Sequence, residues 1–191
     1  ENSGDPNWAN WNMGGVWLST HLWEHYLFNQ NKSYLEQEAY PLMKGAVDFC
    51  LDWMVKDQNG NWITSPGTSP ENIFITPDGY ASATLYGATS DLAIIRELFK
   101  NFIKASETLN IDSDYREKVK AVYDNLYPYQ IGKKGNLQEW YYDWEDKDPL
   151  HRHQSHLFGL YPGSHITPDE TPELAKACRT SLEIKGDKTT G

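Results

Sequence analysis

Between Thr89 and Leu109 the apolar residues Leu92, Ile95, Leu98, Phe99, Phe102 and Ile103 recur at intervals of three and four. That rhythm places them on one stripe of a helix and leaves no room for a strand, whose side chains alternate at every second position. Thr89, Ser90 and Asp91 supply hydrogen-bonding groups for the helix start. The same spacing returns from Gly14 to Gln30, where Val16, Trp17, Leu18, Leu22, Trp23, Tyr26 and Leu27 carry it. It returns again from Tyr34 to Val55, with Ser33 as a cap and Pro41 predicting a kink or break. Asp112–Leu126 predicts a fourth helix, and Thr171-Pro172-Glu173 is a capped start for another through Leu182. Gln154–Leu160 predicts a short helical piece.

Between these runs lie loops too long to be plain connectors. Gln58–Ala88 is punctuated by Gly60, Pro66, Gly67, Pro70, Pro77, Gly79 and Gly87, with short strands expected near Asn61–Ile63 and Ile73–Ile75. Tyr127–Leu150 is irregular. The architecture expected is all-α: helical hairpins in one domain over residues 1–191, joined by loops rich in aromatic and charged residues. The first residues and the polar, Gly-containing end after Leu182 read as cut ends of something longer.

With 191 residues the chain can bury a sizeable core. Its net charge of -10 includes no basic stripe to neutralise phosphates, which argues against a nucleic-acid partner. No apolar run reaches the roughly 20 residues of a membrane-spanning helix. Cys50 and Cys178 lie in apolar helical surroundings and read as buried thiols.

Eight Trp and twelve Tyr are the compositional oddity, and the most informative stretch that carries some of them is Leu137–Pro162. There Trp140, Tyr141, Tyr142 and Trp144 alternate with Glu139, Asp143, Glu145 and Asp146, before the run His151-Arg152-His153-Gln154-Ser155-His156. Flat aromatic faces suit the C–H surfaces of a sugar, and carboxylates, amides, Arg and His suit its hydroxyls. The second informative segment is Thr64–Asn72. Its two prolines and one glycine stiffen a loop that presents one carboxylate, Glu71, with no basic residue within seven positions on either side. Desolvated, such a group stays protonated near neutral pH and can donate to a leaving-group oxygen. The plainer alternative is that Glu71 caps the next turn or faces water.

Two patterns invite a metal. His21, Glu24 and His25 spell His-x-x-Glu-His, with both histidines on one helix face. His151 and His153 form a His-x-His pair. The first lacks a third ligand, and the second encloses Arg152, whose charge repels a cation. No metal or cofactor is therefore expected. Phosphate-binding glycine loops and a Gly-x-Ser-x-Gly elbow are absent from the sequence.

Several segments together resemble glycoside hydrolase family 95, the inverting 1,2-α-L-fucosidases. They are Met13–Trp17 with His21–Tyr26, Thr64–Asn72, Ile94–Phe99, Gln130–Trp140 with Asp143–Asp146, His151–Gly163 and Thr171–Asp187. They occur in the family's order and cover nearly the whole chain. The resemblance implies an (α/α)6 toroid with about half of the barrel present. It implies Glu71 as the general acid, and Trp23, Glu24, Arg152 and His153 as lining of the sugar subsite. The family's base consists of asparagines in an Asn-x-Asn-x-x-Met-Asn-Tyr-Trp motif, activated by an aspartate in a Gln-Ile-Asp-Gly-Asn-Phe-Gly motif. Neither motif occurs here.

The expectation is thus a fragment that holds the acid without the base. It would have little or no activity by itself, while its parent would remove terminal 1,2-linked α-L-fucose from fucosylated oligosaccharides. The parent is expected in a bacterial periplasm or outside the cell, and the fragment is expected to self-associate through uncovered helix faces. An α-L-galactosidase of the same family fits these residues equally. A non-catalytic carbohydrate-binding or structural helical domain is the reading from another class, and a zinc peptidase is the most distant.

Overall fold

The computed structural model describes residues 4–187; the outermost parts of both ends read above as cut, 1–3 and 188–191, lie outside them. Helices account for about half of the described residues. In chain order they are α1 (Pro6–Ala9), α2 (Gly14–Asn29), α3 (Lys32–Tyr34), α4 (Tyr40–Trp53), α5 (Thr89–Leu109), α6 (Ser113–Tyr123) and α7 (Pro172–Lys185). Small two-residue strands accompany them: β1 (Val55–Lys56), β2 (Trp62–Ile63), β3 (Phe74–Ile75), β4 (Ala81–Ser82) and β5 (Glu145–Asp146). The strands expected inside the first long loop are β2 and β3. An all-α description omits β4 and β5, which flank β3 on either side. Both are antiparallel to it, with Phe74 opposite Ser82 and Asp146, and Ile75 opposite Ala81 and Glu145.

Pro41 does not break its helix. Leu35–Ala39 forms a π turn between α3 and α4, and Pro41 sits in the first turn of α4. A proline lacks the N–H of an α-helical bond, and its ring crowds the carbonyl four residues earlier. A locally widened turn just before it relieves that crowding and lets the chain stay helical.

The chain groups into two compact units. One comprises Asn12–Trp62 and Ile94–Leu126; the other comprises the residues up to Trp11, Ile63–Ala93 and those from Tyr127 onward. In the first of these, α2 packs on α4. The α5 stripe is buried at Ile95, Leu98, Phe99 and Phe102, with Tyr40 stacked on Phe102 at 5.0 Å. Asp112 receives both the Tyr40 hydroxyl, at 3.1 Å, and the Lys44 ammonium, at 2.6 Å. Burial foremost, and the neighbouring carboxylate with it, pushes the Tyr40 phenol up to about 12.

In the other unit Leu137, Leu157, Ile166, Ala177 and Cys178 form a core against which Tyr129, Leu160 and Leu174 pack. Both cysteines are buried and in no disulfide, and burial raises Cys178 to about 11. α7 ends at Gly186, whose φ of 67° lies in the left-handed region open to glycine.

Candidate active site

Apart from exposed Ser65 and Pro66, the loop Thr64–Asn72 is buried or half-buried in its unit, so its buried backbone groups need partners. Small hydroxyl and amide side chains meet that need, and Thr64, Thr68, Ser69 and Asn72 are all at most 2 % exposed. Gly67 exchanges two backbone hydrogen bonds with Leu85, at 2.6 and 3.0 Å. Thr68 Oγ1 donates to the Asn10 carbonyl at 2.9 Å, and Ser90 Oγ donates to the Thr68 carbonyl at 3.3 Å. Thr64 Oγ1 donates to Asp91 Oδ2 at 3.1 Å. A β-carbon on Gly67 would lie 2.7 Å from that same Oδ2, so only glycine allows this approach. Ser65–Pro66 and Pro70–Glu71 are cis peptides.

Beneath the loop lies Glu139, 7 % exposed, whose Oε1 accepts from Ser69 Oγ at 2.7 Å and from Asn72 Nδ2 at 3.0 Å. Its Oε2 lies 3.7 Å from Lys185 Nζ and 3.2 Å from His156 Nδ1, the latter off the line of a hydrogen bond. Burial by itself would raise this carboxyl. The His156 and Lys185 charges and the two donated hydrogen bonds outweigh burial and hold it below its ordinary value. Burial, with Lys185 nearby, lowers His156. The set is therefore an ionised Glu139 facing the Lys185 ammonium, with His156 beside it and burial working against a charge on that ring. Lys185 also bonds Asp146 Oδ2 at 3.0 Å, and Trp140 Nε1 donates to Asp146 Oδ1 at 3.2 Å.

Above this floor Glu71 is 27 % exposed at its side chain. Arg152 Nη2 donates to its Oε2 at 2.8 Å, and His153 Nε2 lies 2.9 Å from the same oxygen. Residues about eighty positions apart are thus brought onto one carboxylate. Two more contacts dock the histidine segment on the loop: Ser155 Oγ donates to the Pro70 carbonyl at 2.9 Å, and His151 Nε2 bonds the Glu71 carbonyl at 2.9 Å. Polar hydrogen-bonding groups, rather than the apolar wall a desolvated acid would have, surround Oε2.

Trp23 and Glu24 belong to α2, in the unit that contains α4. Trp23 is 6 % exposed and tilted on Tyr26 at 5.2 Å, while Glu24 is exposed. The aromatic segment divides. Trp140, read from the sequence as part of a sugar surface, is a core residue at 2 % exposure, set edge-on to Phe74. Tyr142, 41 % exposed, stacks on Trp144 at 4.7 Å and meets Tyr141 edge-on at 5.1 Å. The cavity bounded by Glu139, Trp140, Trp144, Asp146, His156 and Lys185 measures about 60 Å³, too small for a monosaccharide. Among the described residues no group of three or more His, Cys, Asp or Glu is arranged to hold a metal ion, and no helix is long and apolar enough to cross a membrane. Sequence reasoning did not single out Lys185, and it read Glu139 only as one of several carboxylates in the aromatic segment. The only further signal of Glu139 was a carboxylate wedged between Leu137 and Trp140, both of which are core.

Comparison with known proteins decides the lineage. The model of the glycosyl hydrolase family 95 catalytic domain matches residues 1–191. The chain belongs to that family. Among the family 95 relatives, "Alpha-L-fucosidase 2" of Arabidopsis thaliana is 44 % identical over 98 % of this chain and 22 % of its own length. "Probable alpha-fucosidase A" of Aspergillus niger is 30 % identical over 96 % of this chain and 24 % of its own length. The namesake from Aspergillus oryzae is 29 % identical over 81 % of this chain and 23 % of its own length. The chain thus spans about a quarter of the curated family 95 proteins it matches.

Proposed function

We propose that this chain is the acid-bearing part of an inverting α-L-fucosidase acting on terminal 1,2-linked fucose. The arrangement that carries the proposal is the Glu71 carboxylate held by Arg152 and His153. Glu71 gives its proton to the glycosidic oxygen as the bond from that oxygen to the anomeric carbon breaks. Arg152 and His153 hold the Glu71 carboxyl in place for that transfer. Water attacks the anomeric carbon from the opposite face and loses its proton to a base about 6.5–9.5 Å from the acid. The family's two base motifs are not in this sequence. The base is therefore assigned to a region of the parent outside the chain, and the 191 residues to about half of an (α/α)6 toroid. The fucosidase reading is supported by the names of the relatives.

The test uses the full-length parent and a 2′-fucosylated oligosaccharide. Glu71→Gln keeps the side chain's shape and removes its proton. Turnover should fall by about 10²–10⁴-fold, the range for a lost general acid, with ligand affinity retained. The isolated chain, assayed beside the parent, should turn over nothing measurable. Normal hydrolysis by the Gln variant removes Glu71 from the acid role, and equal turnover by chain and parent removes the assignment of the base elsewhere.

A further inference from the structure

We propose that Glu139 is the positioning residue for Glu71, holding the acid loop and the Arg152/His153 segment in register from a single buried carboxylate. This rests on Glu71 being the acid. Ser69 and Asn72, both buried, flank Glu71 by two residues and one, and both donate to the same Glu139 oxygen, at 2.7 and 3.0 Å. The other oxygen faces His156, three residues beyond His153, and Lys185 from α7. The Glu139 carbonyl also accepts the Thr89 N–H at the start of α5, at 3.1 Å, so its backbone is fixed as well. One side chain therefore reaches both halves of the Glu71 cluster without touching Glu71 itself.

Charge explains why a glutamate serves here. A neutral acceptor could bond Ser69 and Asn72 but would leave the Lys185 ammonium, 5 % exposed, facing Asp146 alone. An ionised Glu139 answers Lys185 and takes charge-assisted hydrogen bonds from the loop, which are stronger than neutral ones. Because Ser69 and Asn72 are pinned to one atom, the arc Pro70–Glu71 between them has little freedom. A proton donor must be held to a fraction of an ångström, since misplacement by about 1 Å costs about 10²-fold in rate.

Leaving-group chemistry separates a positioning role from a merely structural one. Departure of a sugar alcohol needs the acid's proton, whereas departure of fluoride needs much less help. In the full-length parent, Glu71→Gln and Glu139→Ala would each be assayed on a 2′-fucosylated oligosaccharide and on α-L-fucosyl fluoride. For Glu71→Gln the loss should fall on the oligosaccharide. For Glu139→Ala we expect kcat on the oligosaccharide to drop about 10²-fold, with KM changed by less than about threefold and fluoride release nearly unaffected. Equal losses on both substrates, or no loss on either, overturn the role of Glu139 while Glu71→Gln independently reports on the acid. Should Glu139→Ala fail to fold, Ser69→Ala decides: it keeps the buried charge and removes one of the two loop donors. It should cost about tenfold on the oligosaccharide alone, a partial misplacement on the same scale, and a uniform loss or none refutes the proposal.

Discussion

Asp91 offers the most quantitative test of how the acid loop is supported. It lies in the first turn of α5 and is 1 % exposed; its Oδ2 accepts from Thr64, and its Oδ1 is buried without a hydrogen-bond partner. A helix start favours negative charge by about 0.3–1 kcal/mol. Removal from water with one hydrogen bond costs more, and burial pushes this carboxyl from 3.8 up to about 8. Asp91 is therefore folded as a neutral acid, while the unfolded chain's Asp91 ionises near pH 4. The folded value being the raised one, its contribution to stability is fully present below the unfolded value. That contribution is lost as pH climbs toward the folded value. At about 1.4 kcal/mol per unit, the loss between pH 4 and pH 7 is about 4 kcal/mol for this shift.

Asp91→Asn keeps the shape and cannot ionise. Its carbonyl oxygen can still accept from Thr64, and its amide meets the place where Oδ1 has no partner. The unsatisfied donor costs about 1–3 kcal/mol at every pH. Thermal unfolding of the two proteins from pH 4.5 to 8 should therefore cross. The native chain is the more stable near pH 4.5, and the Asn variant overtakes it before pH 7. The gap should change by about 1.4 kcal/mol per pH unit, or some 3–6 °C in midpoint per unit for a chain of this size. A difference that is flat with pH, or that slopes the other way, would mean that Asp91 is ionised in the fold and that the argument from burial is mistaken.

Gly67→Ala places its β-carbon 2.7 Å from Asp91 Oδ2 and 3.1 Å from Thr64 Oγ1. It should destabilise by about 1–3 kcal/mol, read as a lowered unfolding midpoint; an unchanged midpoint would show that the loop yields freely. In the unit that contains α2 and α4, Leu18, Leu42 and Phe28 are 64 %, 61 % and 87 % exposed. The isolated chain is accordingly expected to self-associate, and sedimentation as a clean monomer at micromolar concentration would refute that.

What the sequence disclosed was periodic, and what it hid was long-range. The α5 stripe was legible because one buried face repeats along the helix whatever packs against it. Pro41 was legible as a perturbation but not as a π turn, since local sequence does not say whether neighbours will hold a widened helix together. Trp140 and Tyr142 are two residues apart and equally aromatic, yet one is core and the other exposed. That division depends on Phe74, sixty-six positions before Trp140, which comes to it through the pairing of β3 with β5. The role of Glu139 was hidden for the same reason: its partners Ser69, Asn72, His156 and Lys185 lie in three distant segments, and no window of the chain contains them together.

The three histidines around the site divide its work in a way their shared chemistry does not foretell. His151 Nδ1 accepts the His153 N–H at 3.1 Å, so that nitrogen cannot carry a proton. The proton is then on Nε2, which donates to the Glu71 carbonyl. Burial foremost, and Lys185 with it, lowers His151, in keeping with that neutral tautomer. Protonation would break the bond to His153, so His151 serves as a backbone brace and not as a proton donor. His156 is buried beside Glu139 and Lys185, where burial again favours the neutral ring. Only His153 brings a ring nitrogen to the Glu71 carboxylate, with Arg152 on the same oxygen. The densest cluster of ionisable groups in the sequence thus reduces to one carboxylate that can meet a substrate, two side chains that hold it, and two imidazoles that belong to its support.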